Sequence, residues 1–301
     1  MGFRDFLDEG NYKLQKLDEI KFKELCRIDF KNISDLEIKF DDNINIDVLM
    51  RVTYTNLSFL GLIGKIKNID ILSKLPFKYL KTLFLGGNSF TNLDFFRKVS
   101  LTNLKRLILS GNIINNLYGL SKSPFYELNS LELTYNSIID IQPLEEIPFK
   151  NLETLDLSSN KIKVIDSLSN FILPNLINLL LSDNKIINID VLSKVKFHKL
   201  KNLHLNSNQI KNIDVFSNVC FNNLYHLDLR DNLINNINVL NKVSFTNLSK
   251  LFLSHNKISN YDIICNLNYK YDLQIYVDRY QYHRLNNEIK IPNNIIINHL
   301  D

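Results

Sequence analysis

The residues best equipped for chemistry crowd into one stretch of this 301-residue chain: His204, His226, Asp228, Arg230, Asp231, His255 and Asp278. Imidazoles and carboxylates at this density are the material of a zinc site or of an acid–base pair. Their intervals argue against both. His204, His226 and His255 fall at different positions of successive segments, so their rings are expected to spread along a surface rather than converge at the roughly 2 Å ligand distances of zinc. Cys26, Cys220 and Cys265 are odd in number, far apart and without CxxC spacing, which indicates neither a metal site nor a disulfide framework and fits a reducing compartment. No GxxxxGKS/T or GxGxxG loop occurs, and no Ser/His/Asp or Cys/His arrangement is suggested. The reading is a chain without catalytic residues, metal ligands or a cofactor, and so not an enzyme.

A repeat positions these side chains. Asparagines recur at Asn88, Asn112, Asn136, Asn160, Asn184, Asn208, Asn232 and Asn256, always 24 residues apart, and each closes a block LxxLxLxxN, as in Leu152-Leu155-Leu157-Asn160 and Leu200-Leu203-Leu205-Asn208. In a short strand Leu155 and Leu157 face the same side, so one face is core and the other surface. The Asn stands where the chain must turn, and its amide can satisfy backbone groups that a buried turn leaves unpaired. One repeat cannot bury its own leucines. Stability must come from stacking, each strand pairing in parallel with the next at roughly 4.8 Å.

The second half of each unit carries apolar residues at steps near three, as in Ile189, Leu192, Val195 and Phe197, which suits a 3₁₀ or single-turn helix with one apolar face. Pro76, Pro124 and Pro148 each precede a Phe of this column, where they would stop the turn. The column holds Phe30, Phe77, Phe125, Phe149, Phe197, Phe221 and Phe245, with Tyr54, Leu101 and Leu173 as substitutes. Extended outward, the frame finds Lys65 and Asp41 in place of Asn, and at the far end Ile275 and Val277 at strand positions with Tyr280 in place of Asn. The expected organisation is an N-terminal cap at 1–29, ten repeats over 30–271, and a closing half-repeat with a C-terminal cap at 272–301. Terminal units must depart from the pattern because their outer faces meet water.

On these blocks the chain resembles the leucine-rich-repeat family over about four-fifths of its length, with 24-residue units most similar to the phosphatase-regulator-like and internalin-like subclass. The resemblance implies an α/β-type repeat solenoid, a horseshoe with a concave parallel β-sheet and short 3₁₀ turns or loops on the convex side. It also implies a protein–protein interaction scaffold or adaptor. The alternatives within that likeness are a regulatory subunit of a phosphatase or other enzyme, and a surface or exported adhesion or effector protein.

Specificity in such a stack belongs to the outward strand positions. Two zones stand out. In the first, Gly61, Gly64, Gly86, Gly87 and Gly111 lie among Phe59, Ile63, Phe84 and Ile108; the expectation is either an apolar groove for a partner or a surface covered by the N-terminal segment, strand glycines often marking close backbone approach. The second is polar with interleaved aromatics and arginine, the composition of binding hot spots. Its candidate contacts are Glu132, Asp156, His204, His226, Asp228, Arg230, Phe252, His255, Tyr276 and Arg279.

The balance of 36 basic against 32 acidic residues, spread along the chain, does not point to nucleic acid. The first twenty residues hold no apolar run of signal-peptide kind, and no later segment approaches eighteen apolar residues. A monomeric, intracellular protein is expected, cytoplasmic with a nuclear setting still open, whose partner is another protein.

Overall fold

The computed structural model describes residues 11–17, 33–40, 45–51, 56–75, 77–121, 123–243, 245–267, 269 and 271–299. Cys26, Phe30, Asp41, Tyr54, Pro76 and most of the expected N-terminal cap lie outside them. The chain divides into two compact units, Met1–Ile138 with Pro143–Lys150, and Ile139–Gln142 with Asn151–Asp301.

The first unit is a parallel sheet of β1 (Asn11–Leu17), β2 (Asp35–Phe40), β3 (Phe59–Ile63), β4 (Thr82–Phe84), β5 (Arg106–Ile108) and β6 (Ser130–Glu132). The described part of the N-terminal segment, β1, thus extends the sheet edge beside β2. The second unit repeats the plan with β7 (Thr154–Asp156), β8 (Asn178–Leu180), β9 (Asn202–His204), β10 (His226–Asp228), β11 (Lys250–Phe252), β12 (Leu273–Val277) and β13 (Ile295–His299). A ten-residue helix, α1 (Arg279–Glu288), joins the last two strands. Tyr280, expected in a turn after a closing half-repeat, therefore sits in a helix, and the 281–301 stretch supplies a further strand.

Register follows the leucines. Leu155, Leu179, Leu203, Leu227, Leu251 and Ile275 pair in sequence across the second unit, and none of them is exposed to solvent. Burying each such side chain contributes about 2 kcal/mol. Between strands the chain returns through 3₁₀ turns such as Asp190–Ser193 and Asp214–Asn218, whose Val191, Leu192, Val215 and Phe216 point inward.

Two periodic sets of asparagines shape the stack, and the first ties adjacent repeats together. The Asn184 amide donates to the carbonyls of Leu157 at 3.0 Å and Leu181 at 3.2 Å, and its Oδ1 accepts the Ile162 N–H at 3.0 Å. Asn208 and Asn232 do the same. The predicted asparagine ladder is thus a bridge between repeats as well as a turn lock. The second set escaped the sequence reading: Asn188, Asn212 and Asn236 each accept the N–H of the residue two places on, at 2.6–2.8 Å, and so start the 3₁₀ turn that follows.

The residue before each ladder Asn is left-handed. Tyr135, Ser159, Asp183, Ser207, Asp231 and His255 have φ between 52° and 59°, and Gly87 and Gly111 stand at the same place with φ of 69° and 70°. Those two glycines therefore answer a turn requirement rather than the approach of a partner's backbone.

Candidate functional site

The outward side chains of β9 to β12 form one connected surface in the second unit. His204 and Asp228 are register partners, as are Asp228 and Phe252, and Phe252 and Tyr276. His226 lies two residues from Asp228 on the same strand face, diagonal to both His204 and Phe252, within the reach of aromatic side chains. The rings consequently stack: His204 on His226 at 4.6 Å between centroids, His226 on Phe252 at 4.8 Å, and Phe252 on Tyr276 at 4.2 Å.

An ion pair locks the stack from above. Arg230 donates from Nε and Nη2 to the Asp228 carboxylate, with Nε at 2.9 Å from Oδ1, while its guanidinium carbon lies 4.9 Å from the Phe252 ring centre. Asp228 is 1% exposed, and its charge is met by a fork-shaped partner that itself remains half open to solvent. The Asp228 hydrogen bond raises the Arg230 pKa still further above its ordinary value. Burial lowers the His204 pKa, against the opposing pull of Asp228. Burial, and next the adjacent His204, bring His226 down to about 4. Both shifts favour the neutral imidazole, which lets the two rings stack without charge repulsion.

The expectation that the histidine rings spread apart is corrected for two of them: His204 and His226 are in contact because diagonal neighbours on one sheet face meet. His255 stands off the stack, with Nδ1 3.7 Å from Asp231 and Nε2 3.8 Å from Asp278, and its backbone N–H on Asp278 Oδ1 at 2.9 Å. Among the described residues no group of three His, Cys, Asp or Glu is arranged to hold a metal ion.

The remaining candidates fall into different settings. Phe252, 9% exposed, is a floor beneath Arg230 rather than a protruding contact. Tyr276 is half-buried, its hydroxyl donating to Gln274 Oε1 at 2.8 Å. Asp156 accepts the Ser158 N–H at 2.9 Å and sits on β7. Arg279 is not on a strand; it is exposed and opens α1. Glu132 belongs to the first unit, where Arg106 and Ser130 donate to its Oε1 at 2.8 and 3.1 Å.

The glycine-rich zone of the first unit has an internal cause. A Cβ on Gly61 would meet Glu37 Cγ at 3.0 Å and the Phe59 ring at 3.1 Å, one on Gly86 the Ser110 carbonyl oxygen at 2.9 Å and the Phe84 ring at 3.0 Å, and Gly64 has a φ of 130°. Neighbouring phenyl rings, together with the Glu37 side chain and the Ser110 carbonyl, occupy the space that side chains would need. Ile108, expected to be exposed, is buried.

Among the described residues no helix is long and apolar enough to cross a membrane. No protein-family model matches the chain, and no curated protein matches it. Solved structures do. Internalin C2 of Listeria monocytogenes is 26% identical over 66% of this chain and 81% of its own, with a TM-score of 0.55. The APL1 leucine-rich repeat domain is 17% identical over 96% of this chain and 84% of its own, with a TM-score of 0.59. The plant peptide hormone receptor RGFR1, solved in complex with RGF2, is 20% identical over 84% of this chain and 42% of its own, with a TM-score of 0.55.

Proposed function

We propose that this chain, whose repeats fold as a leucine-rich-repeat solenoid, is a non-enzymatic interaction scaffold whose protein partner seats on the strand face of the second unit, over β9 to β12. One observation carries the reading: four stacked rings capped by an arginine already fixed on a buried carboxylate. Side chains held this way lose little freedom when a partner arrives, and aromatic rings with arginine dominate binding energies. The plant peptide hormone receptor of similar fold is in complex with RGF2, which supports a peptide or protein as the occupant.

Arg230 and Tyr276 are both partly exposed and lie at opposite parts of the stack, so they test the reading. Affinity capture from native lysate compares wild type with Arg230→Glu and Tyr276→Ala, using Lys81→Glu on the first unit as control. Loss of the same partner from both second-unit variants, and not from the control, is the expected result. A captured set unchanged in both would overturn the assignment of this face.

A further inference from the structure

We propose a second site on this unit, separate from the strand face, that takes an acidic peptide segment bearing a large apolar anchor. It is built by the return segments of two successive repeats. A hollow of about 450 Å³ opens there, with Phe171, Ile172 and Leu173 on one side and Lys194, Lys196 and His198 on the other.

The hollow has a sequence cause. In the following repeats the position thirteen residues after the ladder Asn is Phe197, Phe221 and Phe245, each buried. Here it is Leu173, and the aromatic ring stands two places earlier, at Phe171, where the next repeats carry Val195 and Val219. The swap gives this repeat its own apolar floor beneath the hollow, in which Phe171 and Leu173 are both buried. The volume is in the range of about 300–1,000 Å³ typical of ligand pockets. Ile172, 75% exposed at its rim, is an apolar side chain with nothing over it among the described residues.

The charge names the occupant. Lys194, Lys196 and His198 alternate along the chain, all three are exposed, and no acidic side chain lines the hollow. Among the described residues neither lysine has an ion-pair partner. An apolar floor beside unpaired cations suits a short segment with one large apolar side chain flanked by carboxylates, since the cations steer the charge and the floor takes the anchor. A polyanion reading the surface by charge alone would gain nothing from the apolar floor.

The test uses fluorescence anisotropy with the full chain and a fluorescein-labelled peptide, Glu-Asp-Leu-Phe-Asp-Glu. Saturable one-to-one binding is expected. It should weaken at least tenfold in Leu173→Phe, which restores the neighbours' aromatic and reshapes the apolar floor, and at least tenfold in Lys194→Glu/Lys196→Glu. Lys81→Glu, a charge reversal on the first unit, should leave it unchanged. Ile172→Ser, at an exposed position, serves as the apolar variant if Leu173→Phe lowers the melting temperature. Absence of saturable binding overturns the proposal. So does binding that survives both apolar substitutions, or that is matched by acidic lipid vesicles or an oligonucleotide.

Discussion

Phe252 and Tyr276 lie face to face on adjacent strands, their ring centroids 4.2 Å apart and their planes 7° from parallel. Truncating Phe252 removes a buried ring that also supports His226 and Arg230, so Phe252→Ala should cost about 3 kcal/mol. A double-mutant cycle with Tyr276→Ala, followed by urea unfolding, should return a coupling of about 1 kcal/mol. Additive effects would mean that the rings touch without supporting each other.

Acid should weaken the second unit through His226. Its folded pKa of about 4 is below the free imidazole value of 6.5, so between these values the unfolded chain binds protons that the folded chain refuses. Stability therefore rises with pH across this window. The contribution is fully present above pH 7 and is lost as pH falls from 6.5 toward 4; His204 acts in the same direction. Melting temperatures measured at pH 7 and pH 5 should drop more in wild type than in His226→Gln. Equal drops would show that the imidazole takes up its proton without disturbing the stack.

Asn208 offers the sharpest test of the ladder. Its amide donates to the carbonyls of Leu181 at 2.9 Å and Leu205 at 3.1 Å, and its Oδ1 accepts the Ile186 N–H at 2.9 Å. All of these groups are out of reach of water. Asn208→Ala should cost about 2 kcal/mol by leaving them unpaired. Asn212→Ala, which breaks only the exposed turn bond to Asp214, should cost about 0.5 kcal/mol. Chemical unfolding of the two variants side by side checks the order.

What could be read in advance follows from what the 24-residue period controls. It sets strand positions, leucine register and the ladder Asn, because a stack repeats its backbone geometry and each of those is a demand of that geometry. The asparagines four places further on obey the same period, but their turns lie among varied polar neighbours and the signal was missed. Side chains on the open face answer to their neighbours instead. His204 and His226 meet because a diagonal pair of rings can tilt together, and Asp228 is buried because Arg230 folds back over it, neither of which spacing encodes. The glycines divide on the same principle. Gly87 and Gly111 serve the turn that recurs at Tyr135 and Ser159, whereas Gly61 and Gly86 make room for particular neighbours, Glu37 and the Phe59 ring in one case and the Ser110 carbonyl and the Phe84 ring in the other.

Two glycines of the first unit should respond to alanine in different ways. Gly87 has a φ of 69°, and an added Cβ would meet nothing closer than the Ile63 Cγ2 at 3.6 Å. Gly87→Ala thus meets only backbone strain, about 1 kcal/mol, and six non-glycine residues already hold the equivalent conformation. Gly119 has no left-handed φ to explain it. A Cβ there would fall 2.1 Å from the Leu93 carbonyl carbon and 2.2 Å from its oxygen, a collision with backbone that no rotamer relieves. Two successive repeats touch main chain to main chain at this point, and the Leu93 side chain is itself fully buried. Gly119→Ala must push the repeats apart, so it should cost more than about 3 kcal/mol, at the upper end of overpacking. Urea denaturation with backbone hydrogen exchange at Phe96 and Leu120, whose N–H groups close the two adjoining turns, distinguishes the cases. Protection should collapse in Gly119→Ala and persist in Gly87→Ala; equal protection in both would mean that the contact yields to a small shift of the return segment.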